Sequence, residues 1–258
     1  MSDLNRAESP PLEVRDVTKS YGAVTALRGV SFKLHAGEVV ALVGDNGAGK
    51  STLVKIISGI LEPSSGSILV DGVEQRHTTP AEAQDSGIQT VFQDLSLIPT
   101  LDIVENIYLH RELFHRDPIR SRLRWMDRKA MRREAKRGLS DLGLQLPSLR
   151  TKVAALSGGQ RQSVAIARAV LWGSKIVLLD EPTAALGVQQ TEAVLSFIES
   201  LRERGIAVLV VSHNMEDVLR VSDRIVVLRL GQKIAEVDRD EASHDRIVKL
   251  VLGLDVDV

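Results

Sequence analysis

The chain has 258 residues, 43% hydrophobic and 26% charged, with 19 glycines and 8 prolines; this is globular usage and excludes a disordered, collagenous or low-complexity chain. Its 33 basic and 34 acidic residues leave a formal net charge of −1, so no global field draws it to nucleic acid or an anionic membrane. It has no cysteine, which excludes disulfides, thiolate zinc sites, iron–sulfur clusters and cysteine nucleophiles together.

In chain order, residues 1–10 read as a tail. Met1 to Pro11 carry Asp3, Arg6 and Glu8 without an apolar run, so no secretory signal is expected. The longest apolar stretches, such as Ile176 to Leu179 and Ile206 to Val211, fall far short of the roughly 18 residues that cross a bilayer. Any work at a membrane is therefore expected to go through a partner. Residues 11–258 show no internal repeat and no Gly/Ser linker, so a single composite domain is expected.

The domain opens with short strands at Leu12 to Val17, Val30 to Leu34 and Val39 to Val43, punctuated by Gly22, Gly29 and Gly37. Helical spacing follows, with Leu53, Ile56, Ile57 and Ile60 on one face and Gly59 near the end. Ser67 to Val70 before Asp71-Gly72, and Ile88 to Phe92, read as further strands. From about Leu101 to Trp172 the pattern is predominantly helical, giving a helical subdomain at about 95–172. Next come a strand at Ile176 to Leu179, a helix at Gln189 to Arg204 and a strand at Ile206 to Val211. Such continuous Val/Ile/Leu runs suit a parallel sheet covered on both faces. Arg224 to Leu228 and Lys233 to Val237, joined by a turn at Gly231, read as a closing hairpin before a short C-terminal helix. The fold class is α/β, with a parallel-sheet core, an N-terminal antiparallel β part and a helical insertion.

Gly44-Asp45-Asn46-Gly47-Ala48-Gly49-Lys50-Ser51 matches the phosphate-binding loop, directly after a strand and at the start of a helix. Glycines let backbone N–H groups curl around phosphate oxygens, and the helix N-terminus offers about half a positive charge. Lys50 adds a full charge near the β- and γ-phosphates, and Ser51 is suited to Mg²⁺. Asp180 and Glu181 follow the strand Ile176 to Leu179, at the strand end where an α/β sheet presents its ligands. Asp180 is suited to holding Mg²⁺, and Glu181 to polarising the water that attacks the γ-phosphate. Standing alone, the pair would read as a solvated acidic turn before Pro182.

Leu156-Ser157-Gly158-Gly159-Gln160 opens another helix, and Ser157 with the N–H groups of Gly158 and Gly159 offers a second anion site; Ser157 is also a natural N-cap. This pentapeptide resembles the signature motif of ABC-type ATPases, and with the phosphate loop and the acidic pair it covers most of the chain in the right order. The resemblance implies a P-loop NTPase fold, ATP and Mg²⁺ as cofactors, and a head-to-tail homodimer. In that dimer the signature of one subunit closes over the nucleotide on the phosphate loop of the other. It implies nucleotide contacts from Gly44 through Ser51 and the following Thr52, and from Ser157, Gly158, Gly159 and Gln160. Gln93, after the strand Ile88 to Phe92, resembles the glutamine that senses Mg²⁺ and the γ-phosphate. His213 resembles the switch histidine that contacts the γ-phosphate and orients Glu181 and water, and Tyr21 the aromatic that stacks on adenine. One position departs from the family pattern: Ala184-Ala185-Leu186-Gly187 stands where Ser-Ala-Leu-Asp is usual, so the aspartate that communicates across the dimer is absent.

The wording of these motifs is most similar to ATP-binding subunits of bacterial monosaccharide importers of the ribose and fructose type. That implies a subunit on the cytoplasmic face of the cell membrane, an integral permease docked near the glutamine segment, and a periplasmic or extracellular sugar-binding protein. A non-transport ABC ATPase acting on ribosomes or DNA, and a transport ATPase for a non-sugar substrate, remain the alternatives; no nucleic-acid partner is expected. From Arg116 to Arg137, ten Lys/Arg stand against three acidic residues, with Trp125 inside the run. This run reads as a surface for lipid headgroups or the permease, or as a solvated helix face starting around Asp127.

Overall fold

The computed structural model describes residues 9–76, 78–115, 125–144, 146 and 148–254. Two sheets organise them. In the first, β1 (Leu12–Tyr21) pairs antiparallel with β2 (Val24–Leu34) and with β4 (Ser65–Val70), which pairs with β5 (Val73–Gln75). The N-terminal antiparallel part is thus present, and both of its first strands run longer than their apolar cores suggest. The second sheet contains β3 (Val39–Gly44), β6 (Ile88–Val91), β7 (Ile176–Asp180), β8 (Ala207–Val211), β9 (Arg224–Arg229) and β10 (Gln232–Asp238), in the order β10-β9-β3-β8-β7-β6. All its pairs are parallel except the closing β9–β10 hairpin, and the short α2 (Pro80–Asp85) leads into β6.

The continuous apolar strands have the cause expected of them, because each face of the parallel sheet is covered. Along β7, Ile176 and Leu178 face the cluster shared with the antiparallel sheet and α1 (Lys50–Ile57). Val177 and Leu179 face the opposite cluster, built on α5 (Gly158–Val170) and α6 (Val188–Glu203). Alternation with period two thus serves two cores at once. A third cluster packs Ala41, Val43, Ile225 and Val227 against α7 (Met215–Val221) and α8 (His244–Leu252).

Two expectations need correction. Helix α1 ends at Ile57, and Ile60 lies beyond it with 48% exposure instead of continuing the apolar face. The cause is local: Gly59 takes a left-handed φ of 72°, which ends the helix. Among its described residues, the region 101–172 is also less helical than its apolar spacing suggests. Its described residues hold the five-residue α3 (Ile103–Ile107), α4 (Arg128–Asp141), α5 and a short 3₁₀ turn at Val153–Ala155. Left-handed residues at His110 and Gly143 break the helical path, and antiparallel bridges join Asp102 to Lys152 and Phe114 to Met126. Residues 1–8 of the expected tail and 116–124 of the basic run lie outside the described residues. The rest of the run begins a helix at the expected place, since Asp127 Oδ1 accepts from the Ala130 amide and caps α4.

A fully buried amide holds the entry to α3. Asn106 accepts from the Ile98 amide at 2.7 Å and donates to the carbonyls of Ile98 and Asp102, both at 3.0 Å. Removing a side chain that satisfies several partly buried backbone groups leaves them without those partners. Asn106→Ala is therefore expected to destabilise the fold by about 2 kcal/mol, read as a lowered urea midpoint with an unchanged slope.

Candidate functional site

The phosphate loop leaves the carboxyl end of β3 and turns into α1. Its glycines answer to close approaches as well as to dihedral angles. A Cβ on Gly44 would strike the Leu228 carbonyl oxygen, and one on Gly49 would sit 2.7 Å from Leu27 Cδ2 and 2.8 Å from the Ala26 oxygen. Gly49 is the N-cap of α1, at φ 105° and without a side-chain cap, so no side chain covers the N–H groups of the first turn. The tip of the closing hairpin braces the loop from outside. Gly231 donates to the Ala48 carbonyl at 3.1 Å while its own carbonyl accepts from the Arg28 amide at 2.8 Å.

Lys50 folds back along the loop, and its Nζ donates to the carbonyls of Gly44 at 2.7 Å and Asp45 at 3.0 Å. Burial pulls its ammonium below the usual lysine range, against the opposing influence of the Glu181, Asp45 and Asp180 carboxylates. Asp180 ends β7 at the same edge of the sheet. Burial and then its neighbour Glu181 push its carboxyl above the ordinary aspartate value, against the pull of Lys50 and Lys55. A cation and a carboxylate each kept short of solvent, with uncapped N–H groups beside them, suit an anionic ligand together with a cation.

Glu181 stands just past β7 at φ 52°, a backbone region that a side-chain-bearing residue rarely takes. Its amide donates to the Val211 carbonyl at 2.8 Å, which anchors the turn to β8. From the end of β8, His213 brings Nδ1 to 2.8 Å from Glu181 Oε2; the imidazole is 75% exposed and the carboxylate 19%. The fold thus joins two residues 32 positions apart that the sequence could place only one at a time.

The remaining candidates fall in three places. Gln93 is exposed, two residues beyond β6, whose Val91 pairs with Leu179 of β7; it therefore lies at the same sheet edge as Asp180. The loop after it contains Leu95 and Ser96, both left-handed, and Arg168 of α5 donates to their carbonyls at 3.2 and 2.9 Å. Tyr21 ends β1, half exposed, with Lys19 Nζ 5.6 Å from its ring centroid. Ser51 is exposed and Thr52 half-buried on the first turn of α1.

Ser157 caps α5, its Oγ accepting from the Gln160 amide at 3.3 Å while Gln160 Oε1 accepts from the Ser157 amide at 3.0 Å. The Gln160 carbonyl oxygen is thus committed to the cap. Gly158 and Gly159 allow α5 to meet the start of α6, because added Cβ atoms would come within 2.9 Å of Leu186 Cδ2 and 2.8 Å of Gln190 Cβ. Ser157, Gly159 and Gln160 open onto a cleft of about 650 Å³ walled by Gln189, Gln190 and Phe197, with no phosphate-loop residue in its walls. Gly187 forms the N-cap of α6 in extended backbone without a side-chain cap. A cleft of about 880 Å³ lies where β7 begins, lined by Asp71, Arg76, Glu82 and Lys175, and shares none of the candidate residues.

Burial raises the Asp180 carboxyl, so its charge works against the fold at neutral pH. A carboxyl whose value is higher folded than unfolded favours the fold at low pH and loses that contribution as pH rises through the folded value. Asp180→Asn is therefore expected to raise the thermal midpoint of the ligand-free protein at neutral pH, with the gain shrinking toward acid. Thermal unfolding across pH checks it, and a lowered midpoint at neutral pH would contradict it.

Comparison with known proteins gives a consistent outcome. The ABC transporter family model matches residues 27–184. The fructose import ATP-binding protein of Rhizobium meliloti is 43% identical over 96% of this chain and 95% of its own. The xylose/arabinose import ATP-binding protein of Sulfolobus acidocaldarius is 44% identical over 97% and 94%. A ribose import ATP-binding protein of Rubrobacter xylanophilus is 42% identical over 95% of this chain, which spans 46% of that protein's length. Among solved structures, a dimeric ATP-binding cassette in a post-hydrolysis state, bound to ADP and Pi, superposes with TM-score 0.72 and 30% identity over 88% of this chain and 98% of its own. With a family match over more than half of its length, and its phosphate loop at the carboxyl edge of a parallel sheet, the chain belongs to the ABC transporter family as an ATP-binding cassette.

Proposed function

We propose that the chain is the ATP-hydrolysing subunit of a monosaccharide importer, working as a head-to-tail homodimer beneath an integral permease. Near end-to-end correspondence with fructose and xylose/arabinose import ATP-binding proteins carries the substrate class. The dimer is supported by the solved dimeric cassette and by the separation of the signature cleft from the phosphate loop. No helix among the described residues is long and apolar enough to cross a membrane, and the permease would supply the passage. The subunit would sit at the cytoplasmic face, and a sugar-binding protein outside would select the substrate.

The chemistry falls to groups at one sheet edge. Lys50 and the first-turn N–H groups of α1 would bind the β- and γ-phosphates. Ser51, Gln93 and Asp180 would hold Mg²⁺, which neutralises charge on the phosphates. Glu181 would orient the attacking water and accept its proton. His213 turns Nδ1 to Glu181, which leaves Nε2 to face the γ-phosphate. Tyr21 would stack on adenine, and Ser157 with Gly158 and Gly159 of the second subunit would close over the nucleotide.

Lys50→Ala is expected to weaken ATP binding about tenfold or more, a loss of at least about 1.4 kcal/mol, measured by titration. Glu181→Gln is expected to keep binding while slowing hydrolysis by at least about a hundredfold. Used as a trap in native bacterial membranes, Glu181→Gln is expected to retain a polytopic permease that is lost when Lys50 is also changed. Recovery of ribosomal proteins or nucleic acid with no permease would overturn the transport reading.

A further inference from the structure

Two segments meet at the carboxyl ends of β7 and β8. Glu181-Pro182-Thr183 leaves β7 in a tight turn, closed by the Ala184 amide on the Glu181 carbonyl at 3.2 Å. Ser212-His213-Asn214 leaves β8 and enters α7. Ser212 Oγ accepts from the Asn214 amide at 3.1 Å, and the Asn214 side chain accepts from the Glu216 and Asp217 amides at 3.0 and 3.5 Å. The segments touch through side chains at two points. One is the Glu181–His213 pair at 2.8 Å, and the other is Thr183 Oγ1 donating to Asp217 Oδ2 at 2.6 Å. Two peptide segments and two side-chain contacts thus form a closed ring.

The two contacts differ in how firmly they are held. His213 is 75% exposed, so packing does not fix its imidazole opposite Glu181. Asp217 is 7% exposed and sits on the first turn of a capped helix, so its carboxylate is fixed in space. Short hydrogen bonds to a carboxylate are among the stronger ones, and a buried carboxylate without its donor is costly.

We propose that Asp217, acting through Thr183, is a positioning residue that keeps Glu181 and His213 within hydrogen-bond reach during hydrolysis. This rests on the reading of Glu181 and His213 as the groups around the attacking water. Neither Thr183 nor Asp217 needs to touch nucleotide; they hold the backbone on either side of the pair. Displacement of about 1 Å at a reacting centre can lower a rate about a hundredfold, so a slackened ring affects turnover more than binding.

The test uses the full chain, with ATP titration and steady-state hydrolysis on Thr183→Val, Thr183→Ser and Asp217→Asn. Thr183→Val keeps the shape and removes the donor, and is expected to lower kcat about tenfold while KM and the ATP dissociation constant stay within about twofold. Thr183→Ser restores the hydroxyl and is expected to recover most of kcat. Asp217→Asn keeps an acceptor oxygen for Thr183 and is expected to retain more activity than Thr183→Val. It also carries the test if Thr183→Val fails to fold, since kcat falling to the His213→Ala level with the Thr183 bond still possible would overturn the proposal. In a His213→Ala background Thr183→Val is expected to add no further loss, because the pair it positions is gone. A full additional loss there, a change in KM alone, or an unchanged kcat would overturn the proposal. Glu181→Gln separates the two levels. Near-normal turnover in that variant overturns the reading of the reacting pair, whereas slow Glu181→Gln with normal Thr183→Val overturns only the positioning role of Asp217 and Thr183.

Discussion

The candidate site is registered to a single buried residue, Val211. As the last residue of β8 it pairs with Leu42 of β3 on one side and with Asp180 of β7 on the other, and its carbonyl accepts the Glu181 amide. The phosphate loop, the acidic pair and His213 therefore emerge from the sheet at one level. A slip of one residue in either pairing would turn every side chain of that strand to the wrong face. Burial forbids it, because all five residues of β8 are at most 3% exposed and must match apolar surface above and below.

That registry brings charges together under conditions the polypeptide alone does not satisfy. Lys50 finds two backbone carbonyls, and among the described residues no carboxylate pairs with it directly. Burial works against its charge and against that of Asp180 at once. Each is the other's partial remedy, and a polyanion with a divalent cation between them would complete both. A ligand that binds only the folded chain stabilises it by mass action.

The second candidate surface is built on different principles. At the start of α5 the cap is satisfied from within by Ser157 and Gln160, and the two glycines serve close packing against Leu186 and Gln190. The helix that carries this surface also holds the loop after Gln93, through Arg168 and the carbonyls of two left-handed residues. Burial lowers the Arg168 value with no opposing carboxylate. One helix therefore touches both the loop after Gln93 and the cleft at Ser157.

What is encoded within a few residues is legible in the chain alone. The glycine loop between strand and helix, the Ser157 and Asp127 caps, the buried strands and the Gly231 turn all depend on backbone chemistry over short spans. Helix limits were less legible at Ile60 and among the described residues of 101–172, because apolar spacing marks a buried face without saying where a left-handed residue will end it. It takes the assembled fold for His213 to meet Glu181, for Thr183 to meet Asp217 from 34 residues away, and for Arg168 to hold Leu95 and Ser96. None of these contacts has a local signal, since each depends on how two separate strands or helices are registered. That registry comes from burying both faces of one sheet, and no segment of the chain carries that constraint alone.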